Sequence, residues 1–291
     1  MKSLFRGLAL GALLIAPAAT FAQDAEAEVA VAEEPAVNSG SVRITGGVDV
    51  ATHYFFRGYL QEDQDAIVQP YANVYFDLVK GDNPITAYLG MWHSFHGEQT
   101  LADDGSFGAW YEADLYAGVD ATLGGGFTLG AIYTLYAYPN GAFDTIEELG
   151  FKLSYDDTDK WGLPFALKPY AGVYFETDDQ NGSEDTYLEV GIAPTVHTFN
   201  EKSDQPIAIS VPVAVGMSID DYYFDDGGDE EFLGYGSIGI AGSMPLGSGK
   251  FGAWTLNASV TWMQLFADGL ETANNDDDNE IIGKVGVSFA Y

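Results

Sequence analysis

The chain has 291 residues, 44 of them acidic against 11 basic, for a formal net charge of −33. Such a charge excludes nucleic acid as a partner, because the phosphates would be repelled. Hydrophobic residues at 47% and aromatics at 14% exclude a disordered acidic chain, and the lack of cysteine excludes disulfides and a lipidated N-terminal cysteine.

Residues 1–22 read as a secretory signal peptide: Lys2 and Arg6 precede an apolar run from Leu8 to Ile15, then small residues from Ala18 to Ala22. The run is too short to span a bilayer as a helix. Residues 23–40 are rich in Ala, Glu and Val without strand-like alternation, and are expected to form a flexible acidic periplasmic leader. From Ser41 to Tyr291 the composition shifts to Gly, Tyr, Phe and Val, which predicts one domain over 41–291. No window there supplies the roughly 20 apolar residues of a membrane helix, so membrane insertion would require a β-barrel.

Twelve segments alternate as barrel strands do, apolar towards lipid and polar towards the lumen. In chain order they are Val42 to Tyr54, Val68 to Leu78, Ile85 to Phe95, Tyr111 to Ala121, Phe127 to Tyr138, Ile146 to Tyr155, Phe165 to Glu176, Tyr187 to Val196, Ile207 to Met217, Phe232 to Met244, Trp254 to Leu265 and Ile281 to Tyr291. The fold class predicted is all-β, a transmembrane antiparallel barrel of about twelve strands, an even count with both ends in the periplasm. The register is sharpest at Tyr111 to Ala121, where the opposite phase would put Glu112, Asp114 and Asp120 in lipid.

The connections alternate too. Short turns carry Lys80, Lys160, Lys202 and Lys250, whereas acidic residues crowd the longer loops expected outside the cell, notably Asp220 to Glu231 and Asp276 to Asp278. Aromatic girdles are expected at Tyr54, Phe55, Phe56, Trp92, Phe95, Tyr136, Tyr138, Tyr174, Phe175, Trp262 and Phe266 on the outer rim, and around Phe127, Trp161, Phe165, Phe251 and Trp254 on the inner. Tyr291 ends the last strand on an aromatic of the lipid-facing phase, which resembles the signal read by the barrel-assembly machinery of Gram-negative bacteria.

The stretch from Ile44 to Gly58, ITGGVDVATHYFFRG, is followed by Gln61 and then Ile67-Val68-Gln69-Pro70. Over Gly46 to about Asp77 it resembles the opening of the TorF-like porin family of Gram-negative outer-membrane proteins, whose first hairpin carries Phe-Arg-Gly before a Gln-containing second strand. The resemblance implies an outer-membrane barrel with a transport role and brings no catalytic residues.

Candidate pore-lining residues are Arg43, Asp49, Arg57, Asp77, Glu112, Asp114, Asp120, Glu148, Lys152, Lys168, Glu189 and Lys284. Arg57 can bind carboxylates bidentately, and is expected to pair with a wall carboxylate such as Asp49 or Glu112 and so fix the first loop. Tyr71, Tyr75, Tyr116, Tyr170 and Tyr174 are expected to narrow the lumen, since twelve strands lie between filled eight-stranded barrels and open porins. Asp225, Asp226, Asp229, Asp276, Asp277 and Asp278 are candidates for weak surface binding of Ca²⁺ or Mg²⁺, without the ligand order of an EF-hand. No cofactor is implied.

The expected protein is a monomeric porin-like channel of the cell outer membrane, in contact with outer-membrane lipid. It would pass small hydrophilic solutes or ions, with a weak cation preference from its acidic mouth. Two alternatives stand beside it. One is a non-conducting structural or adhesive barrel; the other is a rim hydrolase built on His93, Ser94 and His96, for which no oxyanion site is visible.

Overall fold

The structure, a computed structural model, describes residues 40–97, 100–101, 107–178 and 185–291. The expected signal peptide and the leader up to residue 39 lie outside the described residues. The chain runs through β1 (Val42–Ala51), β2 (Tyr54–Phe56), β3 (Tyr59–Glu62), β4 (Ile67–Val79), β5 (Ile85–His96), β6 (Trp110–Gly124), β7 (Phe127–Ala137) and β8 (Ile146–Tyr155). It continues with β9 (Tyr170–Asp178), β10 (Thr186–Ile192), β11 (Thr195–Phe199), β12 (Ile207–Ser210), β13 (Val213–Asp220), β14 (Leu233–Gly249), β15 (Gly252–Leu265), α1 (Asp268–Ala273) and β16 (Asn279–Ala290).

Hydrogen bonding joins these strands into a ring in the order β1-β4-β5-β6-β7-β8-β9-β10-β13-β14-β15-β16 and back to β1. With β11 extending β10 and β12 extending β13, the wall is a closed antiparallel barrel of twelve staves, as predicted. Closure pairs the strands of the ring on both sides, and only the β11 extension, bonded to β12 alone, keeps a free edge among the described wall strands. At the seam, Thr45 to Ala51 pair with Ala290 to Lys284, and Tyr291 exchanges two backbone bonds of 2.7 and 2.8 Å with Ile44.

Where the staves depart from the predicted segments, local chemistry gives the reason. Tyr187 to Val196 and Ile207 to Met217 are each cut in two at Pro194 and Pro212, which bring no N–H to the ladder. The stave expected from Phe165 begins at Tyr170, because the buried Asp157 carboxylate accepts the N–H groups of Leu167 and Lys168 at 3.0 and 2.8 Å and holds that stretch as a turn. β14 runs past its predicted end at Met244 to Gly249, taking Pro245 into the ladder at a register shift between Pro245 and Gly247.

The two faces of the wall differ as period two demands. On β5 and β6, Leu89 and Leu115 are each 55% exposed on the outside, while Trp92 and Asp114 on the inside are at 0%. Inside, tyrosine rings lie across glycines of the neighbouring strand. Gly90 pairs with Tyr116 and Gly118 with Tyr88, and a Cβ at either glycine would stand 2.1 or 2.2 Å from the opposing ring. The core of this molecule therefore fills the lumen.

That placement corrects part of the expected outer girdle. Tyr54, Phe55, Trp92, Tyr136 and Tyr174 are buried in the interior, whereas Phe175, Trp262 and Phe266 face outward. For the wall residues the cause is parity: Trp92, Tyr136 and Tyr174 occupy the inward phase of their strands. For Tyr54 and Phe55 it is a change of path, since β1 ends at Ala51 and the chain turns into a hairpin of its own, β2 and β3.

Candidate functional site

The hairpin occupies the loop end of the lumen. Phe56 pairs with Tyr59, and the two residues between them, Arg57 at φ 50° and Gly58 at φ 86°, meet the positive-φ requirement of a type I′ turn. Glycine is also required at 58 by space, because a Cβ there would stand 2.8 Å from Leu270 of α1. The Arg-Gly pair of the opening motif is thus the tip of a plug, and it points the guanidinium across the barrel.

Arg57 donates from Nη1 to Glu148 Oε2 at 2.6 Å and from Nη2 to Glu148 Oε1 at 2.9 Å. The wall carboxylate it pairs with is Glu148 of β8, where Asp49 or Glu112 are the examples expected from the sequence. The Tyr136 hydroxyl donates to the same carboxylate at 3.0 Å, and Arg57 Nη1 also reaches the Tyr222 hydroxyl at 3.2 Å. Around the guanidinium carbon lie the rings of Tyr187, Tyr174, Phe56 and Tyr222 at 4.3, 4.7, 4.9 and 5.5 Å. Burial opposes the charge, but the Glu148 carboxylate, its hydrogen bonds and the Tyr222 and Tyr136 hydroxyls together outweigh it and raise the guanidinium well above its ordinary range.

Further contacts hold the hairpin along its length. The Tyr54 hydroxyl donates to Glu112 at 2.8 Å, the Tyr59 hydroxyl to the Tyr222 carbonyl at 3.1 Å, and the Tyr223 hydroxyl to the Arg57 carbonyl at 2.9 Å. Tyr222 and Tyr223 come from an acidic loop that sequence reasoning treated only as charge. Their signal was two adjacent aromatics inside a run of aspartates.

The other pore-lining candidates occupy inward positions of the wall, apart from Lys168, which lies in the turn held by Asp157. Arg43 pairs with Asp77 at 3.1 Å, and Lys152 lies over the Tyr170 ring at 4.4 Å. Asp49 packs against Gly286 of β16, while Asp120 and Lys284 sit on the inward phases of β6 and β16. Glu189 accepts from the hydroxyls of Tyr170, Tyr187 and Tyr235 at 2.9, 3.0 and 3.1 Å. Asp114 stands apart: it is fully buried on the inward phase of β6, beside the equally buried carboxyl of Glu112.

The histidine cluster is divided by the pleat. His93 lies on the outer face against Trp110, while Ser94 and His96 point inward. Ser94 Oγ and His96 Nε2 are 2.9 Å apart, His96 Nδ1 is 2.9 Å from Thr100 Oγ1, and Thr100 donates to Glu62 of the hairpin. The order serine, histidine, carboxylate is that of an activated nucleophile. Here Ser94 is completely buried, and the His96 ring is stacked on Tyr111 at 4.4 Å, so the chain fastens the hairpin to β5.

Of the metal candidates, Asp225 Oδ1 accepts the N–H groups of Gly227 and Asp229 at 2.7 and 2.9 Å, and Asp226 accepts from Thr272 at 2.7 Å. Asp276, Asp277 and Asp278 follow α1 in the last loop, where the Asp276 N–H bonds the Glu271 carbonyl at 3.0 Å. Among the described residues no three His, Asp or Glu side chains are grouped to hold a metal ion.

No family model and no curated protein matches the sequence. Among solved structures the chain is similar to a bacterial polysaccharide outer membrane secretin, at 9% identity and TM-score 0.46, over 86% of this chain and 97% of that one. It is similar to an outer membrane channel from Pseudomonas putida F1 at 8% identity and TM-score 0.45, over 89% and 100% of the two chains. The NanC porin aligns at 13% identity and TM-score 0.39, over 85% and 98%. Likenesses this distant transfer no solute and no site, and the architecture rests on the chain's own hydrogen-bonded ring: a closed twelve-stranded antiparallel β-barrel.

Proposed function

We propose that the protein is a porin-like channel of the bacterial outer membrane, passing small hydrophilic solutes or ions with a weak preference for cations. The observation that carries this reading is the pairing of faces: a closed ring whose outside is apolar and whose inside carries carboxylates, amides and tyrosine hydroxyls among its aromatic rings. Val48, Leu89, Leu115, Ile240, Val260 and Ile281 on the outer surface suit lipid and would form an unusually large apolar surface in water. The inward carboxylates and acidic loops favour cations over anions. The resemblance of Gly46 to Asp77 to TorF-like porins adds to the reading. Its partners are outer-membrane lipid and, during biogenesis, the barrel-assembly machinery; it works as a monomer without a cofactor. Weak Ca²⁺ or Mg²⁺ screening of the loops needs no ordered site, and calcium titration without heat would remove it.

Planar-bilayer recording of refolded protein tests the channel. Discrete steps are expected, carrying potassium better than chloride. An absence of steps would reject conduction, and a preference for chloride would reject the selectivity. The buried hairpin favours one second reading, a non-conducting barrel for surface structure or adhesion, and the same recording separates the two. A hydrolase would need Ser94 uncovered, and lipase and protease assays with His96→Ala and His93→Ala test it.

A further inference from the structure

The surroundings of Arg57 are those of a ligand pocket more than of an ordinary ion pair. Arg57 is nearly shut off from solvent, at 2% exposure for the residue. The wall meets it with a carboxylate in two-pronged register from β8 and with the rings of Tyr174 and Tyr187 from β9 and β10. A carboxylate set among aromatic faces is the chemistry that selects guanidinium and ammonium groups, because the ring quadrupoles attract either organic cation, guanidinium being the more easily dehydrated, and the carboxylate fixes its orientation. The group filling the pocket belongs to a two-residue turn at the tip of a hairpin whose strands form a separate sheet from the wall. Arg57 therefore stands in the barrel as a ligand carried by the protein's own loop.

We infer that Glu148, Tyr174, Tyr187 and Tyr222 form a binding site for guanidinium- or ammonium-bearing solutes, occupied by Arg57 until such a solute displaces it. The inference names a solute class for the channel reading and rests on that reading for the solute's route. Anions are a poor fit, since a solute carboxylate reaching Arg57 would meet Glu148 on its rigid stave, with Asp114 and Glu112 on the inner face of β6. Small inorganic cations would gain the carboxylate but make little use of the rings.

The test uses the folded barrel in detergent, with methylguanidinium chloride as probe and sodium chloride at equal ionic strength as control. Arg57→Ala empties the pocket and is expected to melt below wild type. Methylguanidinium should raise its melting temperature by on the order of 3 °C, and the double variant Arg57→Ala/Glu148→Gln should show no such recovery. Equal recovery with sodium chloride, or in the double variant, would overturn the site.

Should Arg57→Ala not fold, the chain's lack of cysteine allows a clean reporter in an otherwise wild-type hairpin. Maleimide labelling of Leu60→Cys is expected to quicken several-fold with methylguanidinium and not with sodium chloride; an unchanged rate would overturn displacement. Neither readout needs conductance. A barrel that binds methylguanidinium without channel steps keeps the site and loses the channel, and steps without binding do the reverse.

Discussion

Arg57 and Glu148 lie 91 residues apart in sequence and meet inside the barrel through two hydrogen bonds of 2.6 and 2.9 Å. One belongs to a loop and the other to the wall, so the contact ties the mouth to the frame. Glu148→Ala would leave a guanidinium buried without its carboxylate, which costs about 3–5 kcal/mol in comparable pairs. The urea midpoint of the folded barrel is expected to fall accordingly. Arg57→Ala/Glu148→Ala should lose less than the two single variants together; simple additivity would mean the pair is not coupled.

Asp114 predicts a change in the opposite direction. A carboxylate buried beside a second one, as Asp114 is beside Glu112, is a debit to the fold, and Asp114→Asn removes the charge while keeping the shape. The urea midpoint should rise, by about 1–3 kcal/mol in stability. A fall would show that the contact between the Asp114 and Glu112 carboxyls is essential to the barrel.

Glycines of the wall should separate by the face they occupy and the space they leave. At inward-facing Gly90 a Cβ would sit 2.1 Å from Tyr116, whereas at Gly242, on the outward phase of β14, its nearest neighbour is 3.6 Å away. Gly90→Ala is expected to destabilise by about 1–3 kcal/mol through overpacking, with Gly242→Ala close to neutral. Equal behaviour of the two in urea would mean the tyrosine rings are not tightly seated.

Tyr59 makes the hairpin sensitive to alkali. Burial, with the charges of Asp185 and Glu176, pushes its hydroxyl up from 10.0 to about 12. A raised value means the folded state keeps the proton longer. The stability it contributes is complete below pH 10.0 and is lost as pH rises through about 12. Tyr59→Phe should remove part of the wild-type decline over that window, as followed by melting temperature, and an unaltered decline would place the loss elsewhere.

The wall was legible in the sequence because period two and the cost of a charge in lipid leave little choice. Glu112, Asp114 and Asp120 settle the phase of β6, and its neighbours follow by pairing. Prolines and side-chain acceptors were harder, since Pro194 reads as one more residue of a strand until its missing N–H is placed against a partner. The site was legible only in fragments. Phe56-Arg57-Gly58 was visible as a motif and Glu148 as an inward carboxylate, but nothing local joins residues 91 positions apart. The inward fold of Tyr222 and Tyr223 was hidden by the aspartates around them.

Pro194 and Pro212 carry a last consequence for how the wall yields. Val211 bonds back to the Pro194 carbonyl at 3.0 Å, and Gly239 to the Pro212 carbonyl at 2.9 Å, so the ladder is bridged there by carbonyls whose own residues cannot reciprocate. A cylinder held by uniform rungs resists bending equally all round; this one has a compliant line between two staves. Amide protons beside it, Val211 and Val213 among them, should exchange with solvent deuterium before those of the continuous β5–β6 ladder, and any breathing of the barrel would begin on that side.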